Sequence, residues 1–137
     1  MRLVLVPAGE FEMGNHDSPE KLARLFPAIE KRRIDELADE QPVRRVRITR
    51  PFYISAHEVT IAQFKKFSDK AGNRTEAERD GTGAWGYNRA KNDFEGRKPE
   101  YSWRNPGFAQ EDNHPVVNVT WNDASAFCDW LTKNCTF

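Results

Sequence analysis

His114-Pro115-Val116-Val117-Asn118-Val119-Thr120-Trp121-Asn122-Asp123-Ala124 changes character midway. Pro115 biases His114 toward extended backbone, and Val116 to Val119 read as a short strand. Thr120 then suits an N-cap, and a helix is predicted from Trp121 to Lys133. Trp121, Ala124, Phe127, Cys128 and Leu131 recur at helical spacing and are expected to face inward.

The same grammar appears earlier in the chain. Phe52-Tyr53-Ile54-Ser55 reads as a strand, and Thr60-Ile61-Ala62-Gln63 as a capping box. The helix that follows would turn Ile61, Phe64, Phe67 and Ala71 inward and stop at Gly72. Val43–Thr49 is rich in β-branched residues and predicts another strand. At the start, Val4 to Pro7 and the alternating Glu10 to Gly14 predict two short strands, read as a hairpin around Ala8-Gly9. Between these, Ser18-Pro19 opens a helical stretch carrying Leu22, Leu25, Phe26, Ile29 and Leu37. Pro27 interrupts it. The stretch is taken as a surface helical insertion over about residues 18–38.

Residues 73–113 carry no clear period. They hold five glycines and an aromatic series including Tyr87, Tyr101, Trp103 and Phe108. Disordered segments are poor in aromatics, so an ordered, aromatic-lined loop region is expected. Short strands, a few helices and long loops make the fold class α+β, irregular and loop-rich, in one domain spanning 1–137.

Charge excludes some functions. Lys plus Arg is 21 and Asp plus Glu is 21, for a formal net charge of zero. No basic footprint for nucleic acid or an anionic membrane results. No stretch approaches the roughly 20 apolar residues of a membrane span. Met1 to Pro7 is too short for a signal peptide's apolar region, which makes a cytoplasmic location the default. The sequons at Asn73, Asn118 and Asn134 are therefore read as chance. Cys128 and Cys135, seven apart on or near one helix, stand about 10 Å apart, beyond the roughly 7 Å reach of a disulfide. Cys128 is expected to be a buried thiol and Cys135 an exposed one.

Five stretches, in order, resemble one family. Val6-Pro7-Ala8-Gly9-Glu10-Phe11-Glu12-Met13-Gly14 is similar to its opening strands, and Asp39-Glu40-Gln41-Pro42-Val43-Arg44-Arg45-Val46 to the lead-in of its next strand. Phe52-Tyr53-Ile54, Glu58-Val59-Thr60 and Gln63-Phe64 match its strand–helix unit. Ser102-Trp103-Arg104-Asn105-Pro106-Gly107-Phe108 with the His114–Ala124 block, then Phe127-Cys128-Asp129-Trp130-Leu131, complete the set. Together they resemble the formylglycine-generating-enzyme, or sulfatase-modifying-factor, domain family. The resemblance implies a C-type-lectin-like fold. It implies an oxidative role, converting a cysteine of a sulfatase-like client protein or peptide to formylglycine. It also implies that the chain is the N-terminal portion of such a domain, the fold being incomplete.

In the family, the copper(I)-binding cysteine pair and the calcium loops lie in the C-terminal half, and neither Cys128 nor Cys135 matches that pair. No catalytic residue, copper or calcium is therefore expected in this chain, and it is expected to be inactive by itself. Cys128 matches a family cysteine whose disulfide partner, in some members, lies in that other half. Ile61 departs from the asparagine of many members. The alternative is a non-catalytic, lectin-like peptide- or protein-binding module. An iron-dependent sulfur-transfer role would need a histidine cluster, and His16, His57 and His114 are scattered. His57-Glu58 begins a zinc-protease motif that fails at Ile61.

The expected substrate-binding residues are Trp103, Arg104, Asn105, His114 and Glu58. In the first three, an indole would pack against apolar groups while a guanidinium and an amide would bond a peptide backbone. The alternative is a loop pinned by a buried Trp103. His114 could act as a base or bond a loop backbone, and Glu58 could meet substrate or anchor the start of a helix. Trp130 is assigned to the boundary with the other half, and self-association through the exposed face of helix 121–133 is expected.

Overall fold

The computed structural model describes residues 1–28 and 30–134, so the expectations for Ile29 and Cys135 lie outside the described residues. The chain forms two compact units, Leu3–Ile54 and a second made of Met1–Arg2 with Ser55 onward.

In the first unit the strands are β1 (Leu3–Val6), β2 (Gly9–Met13), β3 (Arg44–Ile48) and, apart from its last residue, β4 (Phe52–Ser55). β1 pairs with β4, and β2 pairs with β3. The expected β1–β2 hairpin does not form. Side-chain complementarity explains the choice of partner. β2 lies antiparallel to β3 with Glu10 opposite Arg47, Phe11 opposite Val46 and Glu12 opposite Arg45. One face is thus a charged ladder, in which Arg45 reaches Glu10 at 2.5 Å. The other carries Phe11, Met13 and Val46. The uncharged Leu3-Val4-Leu5-Val6 has no such ladder to offer and pairs with the apolar Phe52-Tyr53-Ile54.

The helical stretch divides where Pro27 interrupts it. α1 (Pro19–Leu25) is capped by the Ser18 side chain, which accepts from the Lys21 N–H. α2 (Lys31–Glu36) runs into a short 3-10 turn over Leu37–Glu40.

The second unit holds α3 (Ile61–Ala71), α4 (Glu76–Arg79), β5 (Ala84–Asn88), β6 (Asp93–Lys98) and α5 (Trp121–Asn134). The capping box of α3 is present, with Gly72 in the left-handed conformation at its end. Phe64, Phe67, Trp103 and Phe127 form the core. Phe64 meets Trp103 edge-on at 5.1 Å, and Phe67 meets Phe127 at 5.5 Å. Such pairs are each worth about 0.5–1.5 kcal/mol beyond their buried area. Ala71, expected inside, is exposed.

α5 is rotated from its expected phase. Trp121 is 80% exposed, and Cys128 is a free, exposed thiol. Ala124 is also exposed, while Asp123 and Phe127 are buried and Ala126, Trp130 and Leu131 pack on the core. Asp123 sets this phase. Its carboxylate accepts from the Thr120 N–H and hydroxyl at 3.0 Å and from the Glu76 N–H at 3.1 Å. A carboxylate satisfied by three donors can be buried, and it draws its own face inward.

The expected strand at Val116–Val119 is reduced to an isolated bridge between Thr60 and Pro115. Asn118 takes φ 58, which ends the extended run. Its amide nitrogen donates to the carbonyls of Trp85 and Ser102, at 2.9 and 3.3 Å.

Candidate functional site

The region that showed no period contains α4 and the β5–β6 hairpin, and the structure builds two acidic hubs there. Thr75-Glu76-Ala77-Glu78 is a capping box that starts α4. Glu78 does more than cap. Its Oε2 accepts from the Thr75 N–H at 2.9 Å, the Thr75 hydroxyl at 3.0 Å and the Trp103 indole N–H at 3.2 Å. Its Oε1 accepts from Arg104 Nε at 3.0 Å. Burial alone pushes this carboxyl up, but the bonds from Thr75, Arg104 and Trp103 outweigh it and hold it below its ordinary value.

The second hub is Glu95, whose side chain is 8% exposed. Lys98, Lys91, Asn88 and Tyr101 all donate to it, at 2.7, 2.9, 3.0 and 2.9 Å. These bonds, Lys98 first, hold Glu95 far below the usual carboxylate range. Nearby, Thr82, then Gly83 and Arg97, lower Asp80 to about 2.

All three carboxylates are held lower in the folded chain than in the unfolded one. Their stabilisation is complete above the unfolded values of about 4 and is lost as pH falls toward the folded values, reaching about 2 for Asp80. Thermal melts across pH are therefore expected to keep a constant midpoint from neutrality to about pH 5, then fall steeply below about pH 4. A midpoint unchanged at pH 3 would refute this role for the hubs.

An open cleft of about 780 Å³ lies beside α4 and the base of the hairpin. Glu76, Arg79, Asp80, Trp85, Arg97 and Asn118 are among its lining residues. Trp85 is 62% exposed and offers an indole to solvent. Arg97 is held by the Gly83 carbonyl at 2.9 Å and by Asp80 at 2.7 Å. Asn122 bonds Glu76 at 2.7 Å and favours its charged form. Both signs of charge therefore line the cleft, beside one exposed aromatic and peptide-level polar groups.

The five residues expected to bind substrate fall into two groups. Trp103 is 2% exposed, so its indole belongs to the core. Arg104 lies over that indole at 4.2 Å and also donates to the Ser68 hydroxyl at 3.0 Å. Asn105 is exposed, and its amide donates to the Glu100 carbonyl at 2.9 Å. Away from these three, His114 accepts the Glu111 N–H at 3.2 Å through Nδ1, which makes it a loop-bonding histidine. Its carbonyl receives the Ile61 N–H at the start of α3. Glu58 is exposed and lines a second cavity of about 410 Å³ with His57, Gln63 and Asn113. The start of α3 is tied by Thr60 and Gln63, and Glu58 makes no hydrogen bond to a described residue.

Glu78, Trp85 and Glu95 were not singled out from the sequence. The threonine-x-x-glutamate spacing at Thr75–Glu78 was the available signal for the first. Trp85, Tyr87 and Phe94 flanking Asn88 to Asp93 were the signal for the hairpin.

Copper(I) takes paired thiolates, and the described residues hold one cysteine, Cys128, exposed on α5. Among the described residues, no group of three or more His, Cys, Asp or Glu could hold a metal ion. No described helix is long and apolar enough to cross a membrane.

Fold and sequence together define a sulfatase-modifying-factor-type domain. Residues 1–135 match the family "Sulfatase-modifying factor enzyme 1-like domain", and the chain belongs to it. The formylglycine-generating enzyme of Mus musculus is 32% identical over 96% of this chain and 36% of its own length. That of Streptomyces coelicolor is 33% identical over 95% of this chain and 42% of its own. The Bos taurus "Inactive C-alpha-formylglycine-generating enzyme 2" is 30% identical over 97% and 44%. This chain thus spans well under half the length of these relatives. The solved structure of PvdO from Pseudomonas aeruginosa has the same fold, with a TM-score of 0.56 and 24% identity over 96% of this chain and 39% of that one.

Proposed function

We propose that this chain is the client-binding part of a formylglycine-generating-type domain, and that the 137 residues hold a cysteine-bearing client segment without oxidising it. The observation that carries this reading is the open cleft beside α4, with Trp85 exposed among fixed polar groups. Arg104 and Asn105, both exposed, are the members of the expected peptide wall open to a client, and buried Trp103 acts by positioning Arg104. His114 and Glu58 would contact a client at the second cavity. Neither Cys128 nor Cys135 matches the family's copper-binding pair, and this favours binding as the role of the segment. The second reading, a non-catalytic peptide-binding module, is favoured by the match to a relative named inactive.

The test is a titration of the full chain with a sulfatase-derived peptide and with its Cys-to-Ser analogue, with and without copper. Binding is expected for both peptides, without aldehyde by mass spectrometry. Trp85→Ala is expected to weaken binding about tenfold. Aldehyde formation by this chain alone would overturn the assignment to binding. Equal affinity for the two peptides would favour the module reading, and preference for the thiol the oxidase lineage. Trp121, 80% exposed on α5, supports the proposed self-association through that helix.

A further inference from the structure

Trp85 stands at an irregularity of its own hairpin. Ala84 pairs with Lys98 and Gly86 with Glu95. Between these pairs Trp85 faces two residues of β6, Gly96 and Arg97, and is in register with neither. Such a bulge disrupts the ladder locally and re-aims a side chain. A contact from outside the hairpin takes up the Trp85 backbone. Its carbonyl accepts from the Asn118 amide nitrogen at 2.9 Å. The same nitrogen donates to the Ser102 carbonyl at 3.3 Å. A carboxamide nitrogen carries two N–H donors, one for each carbonyl. Ser102 opens the turn that carries Trp103, Arg104 and Asn105, closed by the two 3.1 Å bonds between Ser102 and Asn105.

Asn118 is itself firmly mounted. Two residues before it, the Val116 N–H donates to the Val59 carbonyl at 2.8 Å. Two residues after it, the Thr120 N–H donates to Asp123 at 3.0 Å. Between these anchors Asn118 takes φ 58. Asparagine enters that left-handed region far more readily than the β-branched Val117 or Val119 would. Uncommon backbone of this kind persists where its surroundings over-determine it, and it gathers at ligand-holding sites. Asn118 also lines the cleft beside Trp85. We propose that Asn118 is the positioning residue of the cleft. Its carboxamide ties the Trp85 backbone to the Ser102 turn, and so holds the indole at a fixed place relative to Arg104 and Asn105 for an incoming client segment. This inference rests on the client-binding reading.

The test titrates the sulfatase-derived peptide into the full chain and its variants. Asn118→Gly keeps the left-handed backbone open and is expected to weaken binding about tenfold, as Trp85→Ala does. Asn118→Asp keeps the shape but, ionised, can only accept, and is expected to behave like Asn118→Gly. The double variant Asn118→Gly with Trp85→Ala should bind no more weakly than Trp85→Ala alone, because both changes remove one contact. Losses that multiply, or parent-like affinity in both Asn118 variants, would overturn the proposal. Two further readouts need no peptide. With 5-fluorotryptophan, Asn118→Gly is expected to move the fluorine signal of Trp85, assigned through Trp85→Phe, and to leave that of Trp130 on the core in place. In the unmodified chain, the Asn118 side-chain amide protons are expected to exchange about tenfold more slowly than those of exposed Asn113. An unmoved Trp85 signal or equal exchange rates would sink the clamp, and the exchange measurement holds even where a variant fails to fold. A parent chain that binds no peptide fails the client reading and this inference with it. A binding parent whose Asn118 variants bind equally well fails this inference alone.

Discussion

Glu78→Ala is expected to cost about 3–5 kcal/mol of stability. The figure comes from what the carboxylate holds. Thr75 is fully buried, and Trp103 is 2% exposed. Without Glu78 the Thr75 N–H and the Trp103 indole N–H lose their acceptor, at about 1–3 kcal/mol for each buried donor. The Arg104 ion pair is discounted, because the Arg104 side chain is 46% exposed. Small domains hold only about 5–15 kcal/mol in all, so the variant would be near its limit. Glu78→Gln keeps an acceptor and should recover more than half of the loss. Urea titration followed by tryptophan fluorescence reads both. An alanine variant within about 0.5 kcal/mol of the parent would show that the hub is ornamental.

The hub also shows which features were legible in the sequence. Elements defined by local chemistry were readable. The Thr60–Gln63 capping box, the Ser18-Pro19 helix start and the Gly72 stop each depend on a few neighbouring residues, and each forms. Trp103, Arg104 and Asn105 were picked out by resemblance, and the structure gathers them on one loop turn, closed by the bonds between Ser102 and Asn105. Trp103 and Arg104 are also tied together by a residue 25 or 26 positions away.

Features that depend on distant partners were not readable. The pairing of β2 with β3 is decided by Glu10 meeting Arg45 and Arg47 across more than thirty residues, while the sequence reading preferred the adjacent β1. The phase of α5 failed for a related reason. Apolar periodicity favours Trp121 as an inward residue, but Asp123 has a distant partner in the Glu76 N–H and is buried in its place. Periodicity counts side chains and cannot count hydrogen-bond donors. The cleft is not legible in the sequence because Trp85, Arg97 and Asn118 meet only once the β5–β6 hairpin has formed.

That hairpin depends on one close approach at its base, and Gly83→Ala tests it. Gly83 has φ 68, and a Cβ built there would stand 1.7 Å from the Lys98 carbonyl oxygen and 2.8 Å from the Pro99 Cα. The obstructing atoms are backbone, so no side chain can rotate away. Two residues earlier, Gly81 has φ 70 with nothing within 4 Å of the same construction. Both positions share the left-handed conformation, which costs an L-residue about 1–2 kcal/mol. Only Gly83 adds the collision, at about 1–3 kcal/mol or more for forced overpacking. Gly81→Ala is therefore expected to lose about 1–2 kcal/mol, and Gly83→Ala about 3–5 kcal/mol. Opening the base would also free the Gly83 carbonyl and N–H that hold Arg97 and Asp80. Asp80 would then lose part of what keeps its carboxyl at about 2. The Gly83→Ala protein should accordingly show a shallower loss of stability below about pH 4, a change that Gly81→Ala should not produce. If the two alanine variants melt together, the approach of the Lys98 backbone does not organise the hairpin, and the cleft must owe its shape to other contacts.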